Sequence, residues 1–116
     1  MSIKRHEPSK ILSNAVEANG FVFLAGIVAK TITLDAKGQT KEILTEIDRL
    51  LKLCGTDKSK VVSATIWVTD IRHRDAMNEE WIAWTGGQNL PVRACIEAKL
   101  ADPRMLVEIQ VTAVKG

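Results

Sequence analysis

The chain has no apolar run long enough to cross a bilayer: the longest, Phe21 to Ala29, is interrupted by Gly26 and is far short of the roughly 20 residues a spanning helix needs. The start, Met1-Ser2-Ile3-Lys4-Arg5-His6, lacks the apolar core of a secretory signal, and the only two cysteines, Cys54 and Cys95, are far apart. A reducing, cytoplasmic setting with no membrane partner is the simplest expectation. Metal-ligand spacing is also missing, because His6 and His73 neighbour neither a cysteine nor each other in sequence. No metal and no cofactor are expected. Nor is there a stripe of one charge. The 16 Lys and Arg and 14 Asp and Glu give a net charge of +2, with acids between most of the cations, a pattern that disfavours nucleic acid. No repeat, low-complexity tract or linker breaks the 116 residues, so one domain, 1–116, is expected.

What is present is a change of period along the chain. A short strand is expected around Ile3 to His6, followed by turn chemistry at Ser13-Asn14 and Ala18-Asn19-Gly20 on either side of Val16. Phe21 to Val28 reads as a strand rich in aromatic and β-branched residues. Its Gly26 would allow a ligand or another backbone to come close, and a bulge is the plainer reading. From Gln39 to Cys54, residues Ile43, Leu44, Ile47, Leu50, Leu51 and Cys54 make one stripe of an amphipathic helix, with Gly55 where a left-handed cap belongs. Val61 to Thr69 is a strand with Val62, Ala64, Ile66 and Val68 on one face. Asp70 then caps a helix over roughly Arg72 to Thr85, whose Met77, Trp81 and Trp84 share a stripe, and Gly86-Gly87 ends it.

The C-terminal quarter carries the chemistry. Leu90 to Ala98 and Leu106 to Val111 both alternate as strands, so Arg93, Cys95 and Glu97 share one face while Glu108, Gln110 and Thr112 oppose Val107, Ile109 and Val111. If these two strands pair, an arginine and a carboxylate meet on the sheet face away from the main core. A guanidinium fork suits a small carboxylate ligand through two parallel hydrogen bonds. The order β-β-α-β-α-β-β implies an α+β two-layer sandwich, one mixed sheet with two helices on a single face. The other face would expose Trp67, Cys95 and Phe23 beside Arg93 and Glu108, too apolar to stay wet, and self-association would cover it.

Pro91, one residue, then Arg93-Ala94-Cys95-Ile96-Glu97, followed after a spacer by Leu106-Val107-Glu108-Ile109, resembles the signature of the Rid (YjgF-like) family. Ser13 to Val16, Phe21 to Gly26, Val61-Val62, Val68-Thr69-Asp70 and Met77-Asn78-Glu79 fall in the family's order along the whole chain. The resemblance implies a chorismate-mutase-like fold assembled as a homotrimer with sites between neighbours. It implies hydrolysis of 2-imino acids and their enamine tautomers to 2-keto acids and ammonia. By the same resemblance Arg93 holds the substrate carboxylate, Glu108 handles the water, Gly26 offers a backbone contact, and Cys95 and Asn78 lie near the pocket. Leu12 stands where the family's RidA branch has tyrosine, and Ala25 where it has serine, so this chain resembles a divergent branch with a more apolar pocket.

An imine carbon is already electrophilic, so the protein need only hold the carboxylate, place a water and move protons. Cys95 has no histidine near it in sequence to activate it, so it is read as a wall. The bland reading is an Arg93–Glu108 salt bridge at a subunit interface. The rival function is a non-catalytic trimer that binds a small carboxylate. An endoribonuclease, another activity attributed to the family, finds little support in the charge pattern.

Overall fold

Backbone conformations that few residues tolerate set the first hairpins. Asn19 and Gly20 both sit in the left-handed region, with φ of 51° and 81°, the pair that a two-residue type I′ turn requires. That turn joins β2 (Ser13–Ala18) to β3 (Phe21–Leu24) in the computed structural model, which describes residues 2–116. Upstream, Ser9 Oγ accepts the amides of Ile11 and Leu12 at 3.1 Å each, and Ser9 N–H donates to the Leu12 carbonyl at 2.8 Å. This turn links β1 (Ile3–Pro8) to β2. The expected turn at Ser13-Asn14 is therefore strand instead, because the Ser9 hydroxyl already reverses the chain before it.

The strand after the second turn breaks at Ala25-Gly26 and resumes as β4 (Ile27–Val28). Helix α1 (Ala36–Leu53) starts where Asp35 accepts the Gly38 amide. It ends as the sequence indicates: Gly55 takes φ 77°, Gly55 N–H bonds the Lys52 carbonyl and Thr56 N–H that of Leu51, a Schellman close. Strand β5 (Val61–Val68) follows, with a register shift between Val61 and Ser63. The bulge turns Val61 inward and leaves Val62 42% exposed, so Val62 does not share the core face as expected. Asp70 caps a short 3₁₀ turn, Ile71–His73, by accepting the Arg72 amide, and α2 (Arg74–Thr85) runs from there to a left-handed Gly86. The last strands are β6 (Val92–Glu97) and β7 (Val107–Val114).

The sheet order is β1-β2-β3-β7-β5-β6, with β4 also beside β7. Among the described residues only β5 and β6 run parallel, as the helix between them allows. Strands β6 and β7 do not pair, so the condition under which Arg93 and Glu108 would meet within one sheet face is not fulfilled. β5 lies between them.

One face of the sheet and both helices share a single core. Ile43, Ile47, Leu50, Leu51 and Met77 close over Ile66, Val68, Val107, Ile109 and Val111, all at most 1% exposed. Gln39 is buried with them and leaves nothing unpaired. Its amide nitrogen donates to the carbonyls of Leu34 and Arg104 and its oxygen accepts the Leu106 amide, all within 3.0 Å, which clamps the loop before β7 onto α1. Among the described residues no helix covers the opposite face. By register it carries Ile96, Trp67, Glu108 and Val28 in one row and Val92, Ser63, Thr112 and Phe23 in another, and Phe21, Phe23, Val92 and Ile96 there are each at least 40% exposed.

Candidate functional site

Register decides which side chains can meet, because Cα partners on neighbouring strands point the same way. Arg93, Cys95 and Glu97 stand opposite Ala64, Ile66 and Val68, the buried positions of β5. They therefore face the helices. Glu108 stands opposite Trp67 and faces the bare side. The expectation that Arg93 and Cys95 share the open face with Glu108 is overturned: two strands with one between them carry the charges on opposite sides of the sheet. No Arg93–Glu108 ion pair exists among the described residues.

The arginine half of the site is built by α2. Asn78, one residue after buried Met77, turns its Oδ1 to accept from Arg93 Nη1 at 2.7 Å. The guanidinium carbon lies 5.4 Å from the Trp81 ring centroid, within the range of a cation–π contact. These two contacts aim the guanidinium, and a fork fixed on one side still presents N–H groups on the other. Glu97 Oε1 accepts the Ile71 amide at 2.8 Å, so the strand that carries Arg93 also anchors the entry to the helix that orients it. Cys95 is half-buried against the core. It lies two residues from Arg93 on the same face of β6.

The carboxylate half is built by the break between β3 and β4. Glu108 Oε2 occupies the place that a Cβ on Gly26 would take, with Glu108 Cδ 3.1 Å and Cγ 3.5 Å from it. Glycine is needed here for close approach, since its backbone conformation is one any residue adopts. The bulge that sequence favoured is thus a strand break with a carboxylate seated on it. Trp67 and Val28 flank Glu108 on neighbouring strands. Ala25 N–H is held by the Asn14 carbonyl at 3.0 Å, and Leu12 is 50% exposed at the end of the β1–β2 turn.

Sequence reasoning singled out Arg93, Asn78, Cys95, Gly26 and Glu108. The structure groups the first three and, separately, the last two. Trp81, whose place in the helix stripe marks it as core and which could also shape a pocket, is buried and lies beneath Arg93 as well.

A mixed antiparallel sheet with one parallel edge strand, two helices on one face and an apolar bare face defines an α+β sandwich of the YjgF kind. A member of the YjgF protein family from Neisseria meningitidis has the same fold at a TM-score of 0.96 and 42% identity, the match covering 100% of this chain and 97% of that one. Residues 2–115 match the family described as Endoribonuclease L-PSP, and the chain belongs to that family. A RutC family protein of Haemophilus influenzae is 40% identical over 114 residues, 97% of this chain and 98% of that protein. A Rid family protein from Yersinia pestis is similar at 26% identity with a TM-score of 0.91, covering 97% and 99%.

Proposed function

We propose that this protein hydrolyses reactive 2-imino acids and their enamine tautomers to 2-keto acids and ammonia, in sites formed between the subunits of a homotrimer. One observation carries the reading: a prearranged guanidinium and a carboxylate on a glycine lie on opposite sheet faces of one chain, so a site using both needs a neighbour. Arg93, Asn78 and Cys95 of one protomer would face the Gly26 and Glu108 surface of the next. The exposed Phe21, Phe23, Val92 and Ile96 supply the apolar area such contact requires.

Arg93 then holds the substrate carboxylate while Asn78 keeps the fork in its plane. Glu108 takes a proton from water as it adds to the imine carbon, and returns one to nitrogen as the carbinolamine collapses to ketone and ammonia. Cys95 contributes a wall and forms no bond. A carboxylate-binding trimer without turnover is the second reading, favoured by Leu12 and Ala25, which carry no hydroxyl where the RidA branch has tyrosine and serine. Ribonuclease action is not favoured, since Lys37, Arg49, Arg72, Arg104 and Lys115 each sit on a carboxylate.

The test is keto-acid release from enzymatically generated 2-iminobutyrate by wild type, Glu108→Gln and Cys95→Ala. Release well above the no-protein rate, lowered roughly 10²–10⁴-fold by Glu108→Gln, is expected, with Cys95→Ala close to wild type. Keto-acid binding without accelerated release would leave the binder. Loss of activity in Cys95→Ala alone would refute the role of Glu108.

A further inference from the structure

Chain order hides one constellation that the fold assembles at the far end of the helix face. β1 and β2 pair so that His6 stands opposite Ala15 and Lys4 opposite Glu17, which puts His6 and Glu17 diagonally together on the side of α1. The Schellman close of α1 brings Cys54 down onto them. His6 Nε2 and Glu17 Oε2 are 2.5 Å apart, and one donor atom from each of His6, Glu17 and Cys54 lies within 4.8 Å of the other two. We propose that His6, Glu17 and Cys54 form a zinc site.

The donor chemistry is that of zinc: one imidazole nitrogen, one thiolate sulfur and one carboxylate oxygen, with a fourth position for water. Zinc ligands at about 2.0–2.3 Å in a tetrahedron stand roughly 3.3–3.7 Å from one another. His6 and Glu17, 2.5 Å apart, would part by under about 1 Å to reach that range, and Cys54 already lies within 4.8 Å of both, a mismatch that rotamer adjustments can absorb. The surroundings fit a cation. The thiolate and carboxylate would offset the charge of the ion, the C-terminal end of α1 favours positive charge, and the ammoniums of Lys115 and Lys4 beside the cluster oppose it. Glu17 uses only Oε2 toward His6. Its Oε1 accepts from Lys115 Nζ at 2.7 Å, an outer hydrogen bond of the kind that orients ligating carboxylates. The three side chains are sheltered, Cys54 at 2% exposure and His6 and Glu17 at 10% and 14%. Sequence spacing gives no sign of the trio, because its members come from β1, β2 and the end of α1. It lies apart from Arg93 and Glu108 and does not depend on the proposed hydrolysis.

The test is titration of the metal-free, reduced, full-length protein with Zn²⁺ by calorimetry and with Co²⁺ by absorption. One ion per chain is expected, with a thiolate-to-cobalt charge-transfer band and a melting temperature that rises with zinc. His6→Ala and Cys54→Ser should each bind at least tenfold more weakly, and Cys54→Ser should lose the band while Cys95→Ser keeps it. Absence of binding, a cobalt spectrum without the thiolate band, or zinc affinity in His6→Ala equal to wild type would each overturn the proposal. Since Cys54 is buried and its replacement strains the core, His6→Ala decides the matter alone: a zinc-dependent rise in melting temperature that survives His6→Ala refutes the site.

Discussion

Gly26→Ala separates a structural glycine from a functional one. The added methyl would land on Glu108 Oε2, yet its other near neighbours, Glu108 Cδ at 3.1 Å and Cγ at 3.5 Å, belong to the same side chain. The obstacle is therefore the free end of a flexible residue on an open face, and the Gly26 backbone is already in a conformation alanine adopts. Turning the carboxylate away costs about 0.5–1.5 kcal/mol if it leaves its rotamer, while replacing glycine lowers unfolded-state entropy by an amount worth about 0.4–1 kcal/mol. The two nearly cancel, so the melting temperature should move by no more than about 4 °C. Activity should not be spared. A catalytic group displaced by about 1 Å costs on the order of 10²-fold in rate, so kcat for imine hydrolysis should fall by about that factor, with keto-acid binding through Arg93 less affected. The assays are thermal unfolding and steady-state keto-acid release on the same preparation. Full activity in Gly26→Ala would refute the placement of Glu108 at the reacting centre, and an unfolded variant would refute the claim that only Glu108 stands in the way.

Arg93→Lys keeps the charge but loses both the planar fork and the geometry of the Asn78 bond, so pyruvate or 2-oxobutyrate should bind about 10- to 150-fold more weakly by calorimetry, the equivalent of about 1.5–3 kcal/mol. Light scattering should show the same mass for this variant and wild type, and that mass should be a trimer's. Gln39→Leu strands two carbonyls and the Leu106 amide beneath the loop before β7, and denaturant unfolding should show a loss of about 3 kcal/mol. Acid should destabilise the fold through Glu7, Asp70 and Asp102. Hydrogen bonds from Arg49, Arg72 and Arg104 respectively are the main cause holding each carboxyl down at about 2. A pKa lower in the folded than in the unfolded chain stabilises above the unfolded value and is lost as pH falls toward the folded one. Unfolding midpoints should therefore drop between about pH 4.5 and 2, and a midpoint that is flat over that window would contradict the assignment.

Helix α1 was legible because six residues at helical spacing are all core and Gly55 marks the cap. Strand β2 was not, because Ser13 and Asn14 look like turn residues, and nothing local shows that the Ser9 hydroxyl has already made the turn. Alternation sorted β6 correctly into Arg93, Cys95 and Glu97 against Ala94 and Ile96, but a period of two divides a strand without saying which half faces inward. A polar set was taken to face away from the helices. At the edge of the sheet, however, the margin of α2 leaves room for a guanidinium over Trp81, and the apolar Val92 and Ile96 face outward instead. Pairing was the other loss: β6 and β7 are neighbours in sequence, and the α2 crossover makes β5 the partner of β6.

The sheet has an unusual order of construction. Its central strand, β7, is also the last to be synthesised, and it alone joins the β1-β2-β3 meander and the short β4 to the β5-β6 pair. Until Val107–Val114 leaves the ribosome, the two portions of the sheet have no backbone link. The inner edges of β3 and β5 remain exposed, and the apolar underside of α1 lacks the Val107, Ile109 and Val111 that it will cover. Such edges invite pairing with other chains, so a nascent chain stalled short of β7 is a candidate for chaperone capture. Completion of the sheet therefore waits on that one strand.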